Sequence, residues 1–237
     1  MYAERVSVVA GAVVWTRSAG PGAGPVLPDG CMDLLWSQGR LFVAGPDTHA
    51  HTPAAGGSWA GVRFAPGSAP AVLGVPAHEL RDRRVELADL WGDADARRLA
   101  ERIGEAPDEA AELEAIALER SVPPDPLLGA VVRHLDAGGT VAAAADAAGL
   151  GARQLYRRSL DAFGYGPKTL ARILRLQRAL ALVRGGVPYG DAAHRAGCAD
   201  QAHLAREMRA LAGITLGAYE ALAKSETPSP SGSRTTA

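Results

Sequence analysis

The chain has 237 residues, 47% of them hydrophobic, and a net charge of −1 at pH 7. This composition is typical of a folded globular protein rather than a disordered one. No run of uncharged apolar residues approaches the roughly 18–20 that are needed to cross a bilayer. The first residues lack the basic and apolar regions of an export signal, and two cysteines cannot form a disulfide framework. We therefore expect a cytoplasmic protein that has no contact with a membrane.

The charge is unevenly divided between the two halves of the chain. Residues 1–125 carry 11 Lys and Arg against 18 Asp and Glu, a net charge of −7. Residues 126–224 carry 13 against 7, a net charge of +6. Lys and Arg side chains that neutralise phosphates release bound counterions, so a basic half favours a polyanionic partner. The division points to nucleic acid as the partner of the C-terminal half.

The N-terminal half has the pattern of a small β-rich unit followed by helices. Short β-branched and apolar runs are separated by turn sequences rich in Gly, Pro and Asp. From Pro76 onward the chain is rich in good helix formers, which predict helices at residues 93–104 and 108–120. The proline-rich residues 121–126 then indicate an interdomain linker. The apolar runs predict strands within residues 6–15, 32–36, 41–44 and 59–64.

The C-terminal half contains an internal repeat. Ala-Ala-Asp-Ala-Ala-Gly at residues 144–149 aligns with Ala-Ala-His-Arg-Ala-Gly at residues 192–197, 48 positions later. Gly164 aligns with Gly213, 49 positions later, so the second copy contains one inserted residue. Small alanines on a first helix let a second helix cross it closely, and each copy therefore predicts a helix-turn-helix.

Hydrogen-bonding residues stand where these helices are expected to begin. Thr140 is the expected N-cap of the first helix of the first copy, and Asp200 that of the second helix of the second copy. Residues 168–183 predict a helix that connects the copies. At about 1.5 Å per residue it would be roughly 24 Å long. With the offset of each unit added, it can set two recognition helices about 34 Å apart, which is one turn of DNA.

Two stretches of the C-terminal half resemble the DNA-binding domain of the AraC family. The first runs from Thr140 to Lys168 and includes Arg153-Gln-Leu-Tyr-Arg157. The second is Gly197-Cys-Ala-Asp-Gln-Ala-His-Leu-Ala-Arg206, followed by Gly213-Ile-Thr215 and Tyr219. The resemblance covers about residues 126–223. It implies a sequence-specific transcriptional regulator with an all-α double helix-turn-helix domain, each protomer reading two successive major grooves.

Two positions depart from the pattern of that family. Leu216 stands where proline is usual after Gly-x-Thr, and Gly151 stands where serine is common. The first change weakens a helix-start signal and the second weakens a cap. They put local stability in doubt more than the fold.

In that family the second helix of each unit enters the major groove. By position, the resemblance implies that the base-facing residues are Arg153, Tyr156 and Arg157 in the first unit and Gln201, His203 and Arg206 in the second. Arg suits bidentate contact with guanine and Gln with adenine. A solvated helix surface is the alternative interpretation of each arginine. The residues expected to contact phosphates are Lys168, Arg172 and Arg209.

The N-terminal half resembles a short domain found on some AraC-type regulators, through residues 26–36, 43–47 and 61–67. The resemblance implies no known ligand, and the segment is too short for the double-stranded β-helix that holds sugars in the best-known regulators of the family. We expect a sensory or dimerising module. Aromatic walls with one charged anchor suit small ligands, so Trp36, Trp59 and Arg63 are candidate effector-binding residues. Core tryptophans and a surface arginine are the alternative.

Other functions make different demands on the cysteines and histidines. Cys31, His49 and His51 match no standard zinc spacing, and we expect no metal, no cofactor and no enzyme activity. A zinc or thiol sensor stays an alternative. A DNA-repair alkyl acceptor is another, but it needs an activated thiol, which the neighbouring Asp29 and Asp33 disfavour at Cys31.

The sequence therefore predicts an α+β protein, with a small β-rich N-terminal domain and following helices before an all-α C-terminal domain. The expected boundaries are 1–120 for the first domain, 121–126 for the linker, 127–223 for the DNA-binding domain and 224–237 for a disordered tail. Double-stranded DNA is the expected partner. RNA polymerase, a small-molecule effector and a second copy of the chain are further candidates.

Overall fold

A computed structural model describes residues 2–18, 24–53 and 56–225 of the chain. Within them, residues 2–120 form a sheet with four helices, which we call the sheet unit, and residues 126–225 form seven helices, which we call the helical unit. The predicted α+β fold class is confirmed. No helix in the described ranges is both long and apolar enough to cross a membrane.

The sheet unit is built on six antiparallel strands in the order β1-β2-β5-β3-β4-β6. Its strands are β1 (Tyr2–Val6), β2 (Ala12–Arg17), β3 (Met32–Ser37), β4 (Arg40–Ala44), β5 (Trp59–Phe64) and β6 (Arg84–Glu86). Its helices are α1 (Ala69–Leu73), the 3₁₀ turn Ala77–Glu79, α2 (Ala88–Trp91), α3 (Asp93–Gly104) and α4 (Glu109–Glu119).

Alternation along the strands gives the sheet two different faces. The inner face packs on α3 and α4 in a core that includes Leu34, Trp36, Val62 and Phe64. The outer face carries a smaller apolar cluster in which Trp15 and Leu35 are buried, with Phe42 and Trp59 packed against them. The helices α3 and α4 therefore cover the inner face of the sheet, and the aromatic cluster lies on the outer face, away from them.

The sheet unit departs from the sequence expectations in two places. The β-branched run at residues 6–15 is divided, because β1 ends at Val6 and the chain turns through residues 8–11 before β2. A β-branched run does not by itself reveal a tight turn within it. The strand β6 lies in a region expected to be helical, because three residues are too few to show a periodicity of two.

A buried glutamate fastens the turn between β1 and β2 to α4. Glu114 accepts hydrogen bonds from Arg5 Nη2 at 2.6 Å, from Ser7 Oγ at 2.6 Å and from the Val8 N–H at 2.8 Å. The hydrogen bond from Arg5 is the main cause that lowers the pKa of Glu114 to about 2. A helix residue thereby fixes a segment more than 100 residues earlier in the chain.

The helical unit surrounds one long helix. It consists of α5 (Pro126–Asp136), α6 (Val141–Ala147), α7 (Ala152–Phe163), α8 (Pro167–Arg184), α9 (Tyr189–Ala196), α10 (Gln201–Ala212) and α11 (Leu216–Ser225). Leu170, Ile173 and Leu180 of α8 are fully buried, and α5, α9 and α10 pack on this helix. Leu27 of the sheet unit is 1% exposed and belongs to the same core. The two units therefore share a packed boundary.

The sequence also predicts a linker between the two units and a tail after the second one. Residues 121–125 have no regular structure, and α5 begins at Pro126. The expected disordered tail was placed at residues 224–237, whereas α11 continues to Ser225. Residues 226–237 lie outside the described residues.

The Glu114 contacts predict a pH-dependent stability. The pKa in the folded protein, about 2, is below the ordinary value of 4.5, so the stabilisation is complete above pH 4.5 and is lost as the pH falls towards 2. Glu114→Gln should lower the free energy of unfolding at pH 7 and flatten its decline between these pH values. Chemical denaturation at a series of pH values measures both effects. Glu109→Gln, an exposed glutamate on the same helix, is the control and should behave like the wild type. Equal pH profiles for Glu114→Gln and the wild type would contradict the assignment.

Candidate functional sites

The internal repeat forms two helix-turn-helix units, α6–α7 and α9–α10, as predicted. Thr140 Oγ1 accepts the Ala143 N–H at 3.1 Å, and Asp200 Oδ1 accepts the His203 N–H at 2.6 Å, so both expected caps are present. The recognition helices α7 and α10 each have twelve residues. Both end at a glycine in the left-handed conformation, Gly164 with φ +81° and Gly213 with φ +68°.

The two departures from the family pattern are compensated locally. Gly151 has no side chain to cap α7, but Gln154 Oε1 reaches back and accepts the Gly151 N–H at 3.0 Å. Leu216 is buried in the helical core, and Thr215 Oγ1 accepts the Ala218 N–H at 3.1 Å at the start of α11. Neither change interrupts a helix.

Most of the predicted DNA-contacting residues lie on exposed surface. Arg153, Tyr156 and Arg157 on α7 are exposed, although one edge of the Tyr156 ring lies against the backbone of Gly166. The other exposed members of the predicted set are Lys168, Gln201, Arg206 and Arg209.

Two predicted residues are held within the protein. Arg172 Nε donates to Glu207 Oε2 at 2.9 Å, which joins α8 to α10. His203 Nδ1 accepts the Ala199 N–H at 3.2 Å, and its ring is only partly exposed. Sequence reasoning missed the Arg172 contact because no local pattern pairs it with a residue 35 positions away. It missed the His203 contact, only four residues away, because the resemblance assigned that side chain to DNA.

The outer face of the sheet forms a second candidate site, a cavity of about 550 Å³. Strand alternation places Trp59, Gly61 and Arg63 of β5 on this face. Trp36 has the opposite parity to Asp33 and Leu35 on β3, so it lies in the inner core. This corrects the assignment of Trp36 to the effector site, while Trp59 and Arg63 line the cavity. Its apolar and aromatic lining is Trp15, Val26, Leu35, Phe42, Ala44, Pro53 and Trp59.

Arg63 is buried at the floor of the cavity between two carboxylates. It is 7% exposed, and its Nε lies 3.6 Å from Asp29 and 3.3 Å from Asp33. Trp15 Nε1 also donates to Asp33, at 2.7 Å, and the Arg63 guanidinium faces the Trp15 ring. The Arg63 guanidinium therefore lies beside two carboxylates and the Trp15 ring within the cavity lining.

Arg17 is the cavity cation that sequence reasoning missed. It is half-buried, lines the cavity and pairs across the sheet with Trp59, and its side chain makes no hydrogen bond or ion pair with the described residues. Arg84, the other arginine of the wall, donates to both oxygens of Asp47, at 2.8 Å and 2.6 Å. The feature that identifies Arg17 as a cavity residue is its cross-strand neighbour Trp59. The sequence does not show which residues are neighbours until the register of β2 and β5 is known.

Cys31 is the cysteine of the sheet unit, and His51 is the histidine of the cavity wall. Burial, together with Asp29, raises the pKa of the Cys31 thiol well above its ordinary value, which weighs against a reactive thiolate. Burial, with Arg84, lowers the pKa of His51, which is therefore neutral in the cavity wall at pH 7. Among the described residues, no group of three or more His, Cys, Asp and Glu is arranged to hold a metal ion.

Comparison with known proteins assigns each unit separately. Residues 144–221 match a helix-turn-helix domain family, and residues 12–86 match a domain of unknown function, DUF6597. No curated protein matches the chain in sequence.

Similar solved structures include two of ToxT from Vibrio cholerae. An apo point variant from strain SCE256 is 10% identical, with a TM-score of 0.46 over 92% of this chain and 99% of that chain. A second crystal form is 8% identical, with a TM-score of 0.45 over 93% and 98%. The paired helix-turn-helix units and the family match agree with the sequence resemblance. The chain therefore carries a helix-turn-helix domain at residues 144–221 behind a domain of unknown function at residues 12–86, as a DNA-binding transcriptional regulator does, and its helix-turn-helix domain resembles that of the AraC family.

Proposed function

We propose that one protomer reads two different major-groove segments of DNA, one with α7 and one with α10. The observation that carries this proposal is the position of two exposed arginines. Arg157 and Arg206 are each the sixth residue of a twelve-residue recognition helix. Arginine reads guanine through a bidentate pair of hydrogen bonds, so the exposure and equivalent positions of both residues support base contact. The surrounding outward residues differ between the helices, so the two half-sites should differ in sequence.

The remaining residues of the interface have supporting roles in this proposal. Arg153, Tyr156 and Gln201 lie with the two arginines in the first half of their helices, and we assign them to base edges. His203 is the weakest member of this set, because its Nδ1 accepts the Ala199 N–H and its Nε2 lies 3.9 Å from Glu207 Oε1. Arg172 keeps 41% of its side chain exposed, and a guanidinium has five N–H donors, so it can bind phosphate while it is bonded to Glu207. Lys168 and Arg209 are exposed phosphate contacts.

We also propose that the cavity of the sheet unit binds a small-molecule effector. A cavity of about 550 Å³ is in the size range of small-molecule sites. Its walls are mainly apolar and aromatic, and Phe42 and Trp59 lie with their ring centroids 5.9 Å apart. Arg63 and Arg84 already have carboxylate partners, which leaves Arg17 as the cation for a ligand. The chemistry favours a flat, largely apolar molecule that carries one anionic group.

Domain boundaries and further partners complete the proposal. We place the effector domain at residues 1–120 and the DNA-binding domain at residues 127–223. A homodimer is supported by the exposed side chains of Val6 and Val8, at 73% and 70%, which lie near the edge strand β1, and by Leu118 on α4 at 46%. RNA polymerase is the partner expected of a regulator.

Substitution of the two arginines tests the reading by two helices. Arg157→Ala and Arg206→Ala should each weaken specific binding by about 1–3 kcal/mol and relax the preference at one half-site only, because each removes one bidentate contact. Sequencing of DNA selected from a random library by each variant measures this. Arg158→Ala is the matched control, since the next residue along a helix points about 100° away. Relaxation of the same bases by both variants would show that the recognition helices are misassigned.

A change of spacing tests whether both helices bind one face of the duplex. Five additional base pairs between the half-sites rotate one of them by about half a turn. The units are joined by a single packed helix of 18 residues, which cannot follow that rotation. Binding should fall to the level of one half-site, as measured by fluorescence anisotropy, while an insertion of about ten base pairs controls for orientation alone. Unchanged affinity after the five-base-pair insertion would refute reading by one rigid protomer.

Aromatic probes test the effector cavity. 2-Naphthoate should quench tryptophan fluorescence and bind more tightly than its neutral analogue 2-naphthalenemethanol. Trp59→Ala should weaken both probes about tenfold, a loss of about 1.4 kcal/mol. Arg17→Gln should weaken only the naphthoate, and Trp36→Phe, in the opposite core, should change neither. If neither probe binds the wild-type protein, the sheet unit is better regarded as a dimerisation device.

A further inference from the structure

The strand β1 lies at one edge of the six-stranded sheet. It has β2 on one side and, among residues 2–18, 24–53 and 56–225, no further strand on the other. Four of its five residues are exposed, and the Val6 side chain at its end is 73% exposed. An open strand edge presents a row of backbone groups that can pair with a strand of another chain. This edge can therefore accept a further strand.

The register of β1 on β2 decides which backbone groups point to the open edge. The Ser7 N–H donates to the Ala12 carbonyl at 3.1 Å, directly beyond the end of β1, so these two residues form a hydrogen-bonded pair of the ladder. Along an antiparallel ladder such pairs alternate with pairs whose N–H and C=O groups point away from each other. The residues of β1 that direct their N–H and C=O groups to the open edge are therefore Tyr2, Glu4 and Val6.

The side chains of β1 divide between the two faces of the sheet. Arg5 lies on the inner face, where its Nη2 donates to Glu114 at 2.6 Å, and its Nη1 makes only a long contact of 3.4 Å with the Val6 carbonyl. On the outer face the Tyr2 ring lies against Trp15, with the ring centroids 6.2 Å apart. Val6 has the same parity as Tyr2, so the exposed valine lies on the aromatic face of the sheet.

We propose that β1 pairs antiparallel with β1 of a second copy of the chain, with the two-fold axis at Glu4. The inference rests on the homodimer proposed above and names its surface. In this register each outward residue of β1 faces an outward residue of the second copy, whereas a shift by two residues leaves Tyr2 or Val6 unmatched. A copy of the same strand fits because antiparallel pairing of a strand with itself has the two-fold symmetry of a closed dimer. Val6 then faces Tyr2 of the second copy, and such β-branched and aromatic pairs stabilise a sheet.

The same register sets Glu4 opposite Glu4 of the second copy. Tyr2 Oη donates to Glu4 Oε2 at 2.5 Å, which keeps the carboxylate on the outer face with its counterpart. Like charges directly opposite each other on neighbouring strands are destabilising. The charge of Glu4 therefore weakens the dimer, and its removal should strengthen an interface that most substitutions would weaken.

Sedimentation equilibrium of the full chain, without DNA, tests the pairing. Glu4→Gln should tighten the dimer about two- to fivefold, because the like-charge pair is removed. Val6→Pro should weaken it about tenfold or more, because proline removes an N–H that points to the second copy and none that bonds β2. The matched controls are Glu109→Gln on α4 and Val122→Pro at a valine that is 54% exposed after α4, and neither should change the association. Thermal unfolding checks that each variant is folded.

Single cysteine substitutions test the register. Residues opposite each other in a hydrogen-bonded pair have Cα atoms about 5.5 Å apart, a distance that a disulfide can span. Position 4 faces itself in the proposed register, so Glu4→Cys should form disulfide-linked dimers in oxidised glutathione about tenfold faster than Val122→Cys. Ala3→Cys and Arg5→Cys should not, because these positions face themselves only in the shifted registers. The wild type, which has the same native cysteines, gives the background rate.

The possible outcomes separate this inference from the homodimer on which it rests. A dimer that withstands Val6→Pro in a folded variant, that is not tightened by Glu4→Gln, or that is linked faster by Ala3→Cys or Arg5→Cys would overturn the proposed pairing and leave a homodimer through another surface. A wild-type chain that is monomeric at every concentration measured would count against both. The reading of DNA and the effector cavity do not enter, since these measurements contain neither DNA nor a ligand.

Discussion

Both helix-turn-helix units depend on the burial of α8. Its apolar stripe, which includes Leu170, Ile173 and Leu180, lies in the centre of the helical unit, and the other helices are arranged around it. Burial of each such side chain contributes about 1.5–3 kcal/mol relative to exposure. The 18 residues of α8 also give the separation of the units a fixed scale of about 27 Å. One packed helix therefore stabilises the domain and, in the proposed reading by two helices, sets the distance between the half-sites.

The helical unit could be predicted almost entirely because its signals are local. The caps at Thr140 and Asp200 act within three residues, and the repeat brings alanines to the same helix crossings in both copies. The sheet unit could not be predicted to the same depth. Its strand positions were mostly visible, but the face on which a side chain lies depends on register with strands far along the chain. Trp36 and Trp59 looked equivalent in the sequence, yet cross-strand pairing places them on opposite faces.

The environment of a charged residue likewise depends on partners that lie far away in the sequence. Arg63 was predicted as a ligand anchor, but its partners Asp29 and Asp33 stabilise its charge inside the protein. A buried ion cluster gains little net stability, because desolvation offsets most of the attraction, whereas removal of one member leaves a buried charge unpaired. The cluster therefore defines the shape of the cavity floor more than it stabilises the fold. In the proposed effector site the cation is instead Arg17, at the end of β2, where the sequence gives no motif.

The uneven charge of the two halves of the chain agrees with where the proposed base-contact residues lie in the recognition helices. All six residues assigned to base contacts lie in the first six positions of α7 and α10. The N-terminal end of a helix carries the positive end of its dipole and its free N–H groups, which favour a polyanion. The C-terminal ends are held by the sheet unit through Gly164 and Leu211, and residues 1–125, which include that unit, have a net charge of −7. An acidic unit at these ends repels phosphates, which favours docking of the duplex at the opposite, N-terminal ends of the two helices. The distribution of charge therefore supports the proposed assignment of base contacts to the first half of each recognition helix.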